Sequence, residues 1–180
     1  VHIMKINLLA PLLLAIVLPA SATSQMCFDQ AGKDYNIDPL LLMSISIQES
    51  RLIATATNSA NRDGTEDVCG MQINSSHYEK LAGFNITRKR LMNDPCICVY
   101  TGAWVLAHNF RSYGKNWDSV GIYNTGPSKK LIVKRREYAD KIKSIYRILQ
   151  ARKILIDKQT TEKTAAVLQT DSMTEPKITQ

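Results

Sequence analysis

The sequence has 180 residues, 44% of them hydrophobic and 7% aromatic, and a formal net charge of +7. That is enough chain for one domain with a real core. Beyond the first twenty residues no long apolar segment occurs, which excludes a multi-pass membrane protein and predicts a soluble mature chain without stable membrane insertion.

In chain order, Lys5 precedes an apolar run from Ile6 to Leu18 and the exit Pro19-Ala20-Ser21-Ala22. One positive charge, a short apolar core and small residues at the exit describe a secretory signal peptide over 1–22, cleaved after Ala22. The run falls short of the ~20 residues of a spanning helix, and Ser24-Gln25-Met26 before Cys27 lacks a lipid-attachment box. Cys27 to Tyr35 reads as a short helix closing before Asn36. Asp38 is a good N-cap and Pro39 suits the first helical position, so a second helix starts there and runs to Glu49-Ser50. Apolar residues lie nearly all round it, which predicts burial on several sides. A polar, turn-rich run from Asn58 to Asp67 follows, with a short hairpin possible between Thr57 and Cys69. Ser75–Leu81, Cys96–Tyr113, Trp117–Tyr123 and Arg135–Leu155 are further helices, the second with Val99, Ala103, Leu106 and Phe110 at helical spacing. From Gln159 the composition turns to Thr, Gln, Lys, Asp and Glu, and disorder is expected. The class is mainly α with at most a small β-hairpin: a leader over 1–22, a domain over 23–150, and a helix end with a disordered tail over 151–180.

Charge and cysteines narrow the chemistry. Lys129, Lys130, Lys134, Arg135, Arg136, Lys141, Lys143 and Arg147 face only Glu137 and Asp140 between Ser128 and Gln150. Such a surplus suits an anionic partner or is simply a solvated helix face. Export disfavours nucleic acid, and no nucleic-acid-binding pattern supports it. Cys27, Cys69, Cys96 and Cys98 in an exported chain suggest disulfides, with three pairings open and Cys96 and Cys98 too close to pair readily with each other. No Cys-x-x-Cys or His-Glu-x-x-His spacing exists, and His77 and His108 stand alone, so no metal and no cofactor are expected. Leu41, Ile45 and Glu49 share one ridge of the second helix. Glu49 therefore sits where a buried stripe meets the surface, near the negative end of the helix dipole. Both effects disfavour its charged form and suit it to general acid work.

Glu49-Ser50, then Asp67, then Gly70-Met71-Gln72-Ile73-Asn74 resemble the lytic transglycosylase signature of the goose-lysozyme-like superfamily. Leu91-Met92-Asn93-Asp94-Pro95-Cys96, Gly102-Ala103-Trp104-Val105-Leu106 and Val120-Gly121-Ile122-Tyr123-Asn124-Thr125-Gly126 follow in the family's order. The match spans Cys27 to Tyr146 and is most similar to the small enzymes that accompany type III secretion, type IV secretion and pilus machines.

The resemblance implies a lysozyme-like α domain and a periplasmic monomer. Its reaction would be cleavage of the β-1,4 bond between N-acetylmuramic acid and N-acetylglucosamine in peptidoglycan glycan strands with closure of an internal anhydro ring, the alternatives being a lysozyme-type hydrolase or a catalytically weak wall-binding assembly factor. An apparatus component is a further partner. Glu49 matches the catalytic glutamate and Asp67 a second acidic residue of the secretion-associated subgroup, against a turn cap or an ion pair with Arg62 as its plainer role. Ser50, Met71, Gln72, Tyr123, Asn124 and Tyr138 match positions that brace or line the sugar groove; Trp104 is expected in the core. Relatives often pair cysteines at the positions of Cys27 and Cys96. Cys69 and Cys98 are departures that occur together, which implies that they bond each other. Cys69 stands where the family usually has glycine, so it could narrow the groove.

Overall fold

In the computed structural model residues 25–173 are described. The expected leader over 1–22 and the last seven residues lie outside them. α1 (Phe28–Tyr35) closes on Asn36, which is left-handed at φ 53°. α2 (Pro39–Ser50) starts as its sequence dictates, with the Asp38 carboxylate accepting the Leu40 N–H at 2.8 Å and Pro39 in the first turn. Leu42, Ser44, Ile45 and Ser46 are wholly buried. An all-round apolar helix has no face to give to water, and this one is enclosed. The core joins α2 to Met71, to Leu91 of α4 (Arg88–Asn93), to Val99 and Leu106 of α5 (Pro95–Tyr113), and to Ile142 of α7 (Ile132–Met173). The buried serines turn inward on the backbone: Ser46 and Ser50 hydroxyls both donate to the Gly70 carbonyl, at 2.9 and 2.8 Å.

The hairpin is present and gains a third strand. β1 (Thr57–Asn58), β2 (Asp67–Val68) and β3 (Ile73–Asn74) form an antiparallel sheet in that order. Asn58 faces Asp67 across one ladder, and Asp67 faces Asn74 across the next. Strands two residues long carry no alternation to read, and tertiary context makes them. α3 (Tyr78–Ala82), preceded by a 3₁₀ turn over Ser75–His77, and α5 match expectation; α4 was not anticipated as a helix.

Disulfides pair Cys27 with Cys96 and Cys69 with Cys98, with Cα atoms 5.0 and 6.2 Å apart. The first ties the start of α1 to the start of α5. The second explains a departure in sequence: Cys69 has φ 63°, a region where an L-residue costs roughly 1–2 kcal/mol and glycine does not. Its side chain is wholly buried against Cys98 and does not narrow the cleft described below.

α6 (Trp117–Thr125) and α7 cross closely at Gly121, where a Cβ would collide with the backbone and side chain of Arg135. Arg135 itself corrects the reading of the basic stretch. It is 5% exposed, pairs with Asp118 at 3.2 Å, and donates to the carbonyls of Gly126 and Ser128 at 3.0 and 2.9 Å. It fixes the turn after α6 rather than meeting a partner. The expected disorder from Gln159 also differs, because α7 runs on to Met173. Residues 151–164 are all exposed, and two spacing-of-four ion pairs, Lys153–Asp157 and Lys158–Glu162, support the helix locally. No helix among the described residues is long and apolar enough to cross a membrane.

The geometry at Cys69 predicts an order of stabilities. Loss of the bond in Cys69→Ala/Cys98→Ala should lower stability by ~2–4 kcal/mol. Cys69→Gly/Cys98→Ala should recover ~1 kcal/mol of that loss, because glycine relieves the positive φ. Urea denaturation of the two double variants measures the difference; equal stabilities would remove the conformational argument.

Candidate active site

A cleft of about 1140 Å³ opens between the small sheet with its polar loop, the outer half of α5, and the junction of α6 and α7. Glu49, Asp67, Gln72, Tyr123 and Asn124 all line it. Residues scattered over 76 positions of sequence thus meet on one surface.

Glu49 reaches the cleft from the last turn of α2. α7 runs antiparallel to α2, and its tyrosines bond both ends of that helix. The Tyr146 hydroxyl donates to Asp38 at 2.5 Å, and the Tyr138 hydroxyl donates to Glu49 Oε1 at 2.5 Å. Burial pushes the Glu49 carboxyl up to about 7; the bond from Tyr138 pulls it down, and the charge of Asp67 adds to the rise. A carboxyl at that value is protonated and ionised in comparable amounts near neutral pH, so it can give a proton and take one back. Burial, then the Glu49 charge, holds the Tyr138 phenol well above its ordinary range, so Tyr138 remains a donor.

Asp67 is set differently. Its Oδ2 accepts from the side-chain amides of Asn61 at 2.8 Å and Asn58 at 3.2 Å, and its Oδ1 accepts from Asn74 at 2.8 Å. Asn58, Asp67 and Asn74 form one row across the three strands. The amides cannot turn round without loss. Asn58 Oδ1 accepts the Ala60 N–H, and Asn74 Oδ1 accepts the Ser76 N–H, so each presents its NH₂ to Asp67. Asn61 and Asn74 also donate to the Thr65 hydroxyl, which donates in turn to Asp63. Among the described residues no ion pair reaches Asp67, so the Arg62 partnership is not formed; Arg62 lines the cleft on its own.

Other expected site residues divide. Gln72 is left-handed at φ 49° and its amide is anchored on the Cys69 and Ala56 carbonyls at 2.9 and 3.2 Å. Tyr123 lines the cleft with its ring while its hydroxyl donates to the Met71 carbonyl at 2.8 Å. Asn124 is exposed at the wall. Met71 and Ser50 do not line the cleft. The Met71 side chain is wholly buried against Gly102, where a Cβ would displace it, and its backbone carbonyl is what holds Tyr123. Ser50 braces Gly70 from inside the core. Trp104 packs against the core but is only half-buried: it stacks on His108, meets His77 edge-on, and lies under the Lys80 ammonium. Both histidines line the cleft, a role their isolation in sequence did not suggest. The sequence gives no sign that Asn58, Asn61 and Asn74 surround Asp67. Asn74 stands inside the Gly70–Asn74 motif, whereas Asn58 and Asn61 were hidden in a run that reads as turns.

Comparison with known proteins decides the family. The model of the transglycosylase SLT domain matches residues 26–146. The chain belongs to the transglycosylase SLT domain family. Invasion protein IagB of Salmonella typhimurium is 44% identical over 124 residues, which cover 69% of this chain and 77% of that protein. An X polypeptide of Escherichia coli is 41% identical, covering 67% and 72%, and protein IpgF of Shigella flexneri is 37% identical, covering 64% and 76%. Among solved structures, an inactive mutant of the lytic transglycosylase Slt from Pseudomonas aeruginosa superposes with a TM-score of 0.55 at 16% identity. That likeness shows the fold. It covers 71% of this chain but only 24% of the larger one, so this SLT domain spans about a quarter of that molecule.

Two predictions follow from the electrostatics of this SLT cleft. Tyr138→Phe removes a bond to the ionised form of Glu49 and should move the alkaline limb of the kcat/KM profile to higher pH. Asp67→Asn removes a repelling charge and should move it to lower pH. Shifts in the same direction would overturn the assignment. The second concerns stability. The folded Glu49 value, about 7, lies above its ordinary 4.5, so the folded state binds this proton more tightly than the unfolded chain. The resulting stabilisation is present below pH ~4.5 and is lost as pH rises towards ~7. Glu49→Gln should therefore gain melting temperature relative to wild type as pH rises from 4.5 to 7, measured by calorimetry across that interval.

Proposed function

We propose that this lytic transglycosylase cleaves the β-1,4 bond between N-acetylmuramic acid and N-acetylglucosamine and leaves 1,6-anhydro ends. The observation that carries the reading is the half-buried carboxyl of Glu49, raised to about 7 and held by Tyr138. The Glu49 proton passes to the glycosidic oxygen as the bond to the anomeric carbon breaks. The Glu49 carboxylate then takes the proton of the muramyl C6 hydroxyl, whose oxygen closes on that carbon. Atoms balance without water, and one group serves as acid and then base. The negative charge of Asp67 faces the positive charge that builds at the anomeric carbon. Tyr138 keeps Glu49 in one rotamer through both transfers.

The wider role we assign is local opening of the wall for a secretion, conjugation or pilus apparatus, by an exported, periplasmic enzyme. Its support is the similarity to a protein named for invasion, the leader-like first 22 residues, and the absence of free cysteines among the described residues.

Glu49→Gln tests the centre of this proposal. Gln is nearly isosteric but cannot exchange the proton, so turnover on purified peptidoglycan should fall ~10²–10⁴-fold with the fold retained. Chromatography and mass spectrometry of the wild-type products should find anhydro ends, each lighter by one water than a reducing end. Reducing ends throughout would make the enzyme a muramidase instead.

A further inference from the structure

We infer that Asn58, Asn61 and Asn74 are positioning residues that bias which nucleophile completes the reaction, by restricting the access of water to Asp67. The inference rests on the lytic reading of the cleft and deepens it. Once the glycosidic bond has broken, two nucleophiles can reach the anomeric carbon: the substrate's own C6 hydroxyl, or a water molecule. Either must lose a proton as its oxygen bonds to carbon. The C6 hydroxyl gives its proton to Glu49. A water gives its proton to whichever carboxylate can accept a hydrogen bond from it at the start of its approach. Asp67 is the second carboxylate of the site, so its free acceptor positions set how readily hydrolysis competes.

Those positions are nearly all taken. A carboxylate offers about four lone-pair positions, and Asp67 uses three of them, two on Oδ2 and one on Oδ1. The donors are themselves committed. Asn58 donates also to Asn61, Asn61 and Asn74 donate also to Thr65, and the Asn58 and Asn74 carbonyls are capped by backbone N–H groups. Each amide thus spends both its hydrogens within the network, and those of Asn58 and Asn74 cannot flip without losing bonds. The network also fixes the side chain on both sides, since Asn58 and Asn74 flank Asp67 across the two ladders of the sheet. Held in this way, Asp67 keeps one acceptor position, on Oδ1, and cannot rotate to offer the others to water without breaking bonds to the amides. The charge it presents is not neutralised by any cation among the described residues. A turn cap would need one or two such bonds to backbone N–H groups; three side-chain amides converging on one carboxylate do something else.

The test is a product ratio, which does not depend on how much of a variant is folded. Asn58→Ala, Asn61→Ala and Asn74→Ala are each incubated with purified peptidoglycan, and anhydro and reducing muramyl ends are counted per bond cleaved, with wild type and Asp67→Asn alongside. Each alanine variant should raise the share of reducing ends severalfold, because it frees one lone pair of Asp67 and loosens its rotation. Combining any of them with Asp67→Asn should return the share to that of Asp67→Asn alone, since the effect passes through the carboxylate. An anhydro-forming wild type whose three variants keep the same ratio overturns the inference and leaves the lytic reading standing. Loss of all turnover in every variant, including Asn58→Ala at the exposed edge strand, overturns it too, and makes the asparagines supports of the sheet. A wild type that forms only reducing ends removes the lytic reading and this inference with it.

Discussion

Burying a carboxyl at the end of an apolar helix disfavours its charge, and the rest of the cleft depends on how that burden at Glu49 is managed. Full burial without a partner would leave a group protonated throughout the neutral range and useless as a base. Full exposure would leave it ionised and useless as an acid. The Tyr138 hydroxyl gives a middle position, stabilising the carboxylate enough to make both forms accessible. This requires α7 to lie along α2, and the second tyrosine contact, Tyr146 to Asp38, sets the same pair of helices at the opposite end. Gly121 lets α6 and α7 approach closely, and Arg135 anchors the turn between them. The tuning of this carboxyl and the packing of the helices are one arrangement here.

The sheet has a comparable logic on the other wall. Three strands of two residues make few ladder bonds, and only Val68 and Ile73 reach the core, so the sheet depends on what packs and bonds around it. What the sheet does is place Asn58, Asp67 and Asn74 in one row, and the side-chain network across that row ties the strands together in return. The two carboxyl groups of the cleft are thus treated in opposite ways. Glu49 is desolvated and given one donor; Asp67 is held in a polar cage and given three.

Covalent constraint replaces conformational freedom at one position. The backbone at Cys69 has the positive φ that glycine adopts without strain, yet the residue is a cysteine bonded to Cys98. The neighbouring segment is over-determined: Ser46 and Ser50 hold the Gly70 carbonyl, Tyr123 holds that of Met71, and the Met71 N–H meets Cys98 Sγ at 3.2 Å. Gln72 therefore enters the cleft from a backbone fixed on three sides. Ser50 and Met71 belong to this support and not to the groove surface, although their motif places them beside residues that do line it.

Much was legible in sequence because local chemistry decided it. Asp38 and Pro39 start α2, its all-round apolar character requires enclosure, and a ridge of spacing four carries Glu49 to the margin of the core. The order of the motifs marked the family, and two cysteines that depart from its pattern together proved to be bonded to each other. Tertiary structure decided the rest. Strands of two residues have no period, so the sheet and its asparagine row could not be read. The basic run from Ser128 to Gln150 gives no sign that Arg135 is buried, since charge in sequence does not say which residue a neighbouring carbonyl will claim. The run after Gln159 lacks a core-facing pattern, yet residues 160–164 continue α7 as helix with every one of them exposed. Composition reports the apolar surface a segment can bury, whereas partners far along the chain decide where each polar group finds its hydrogen bond.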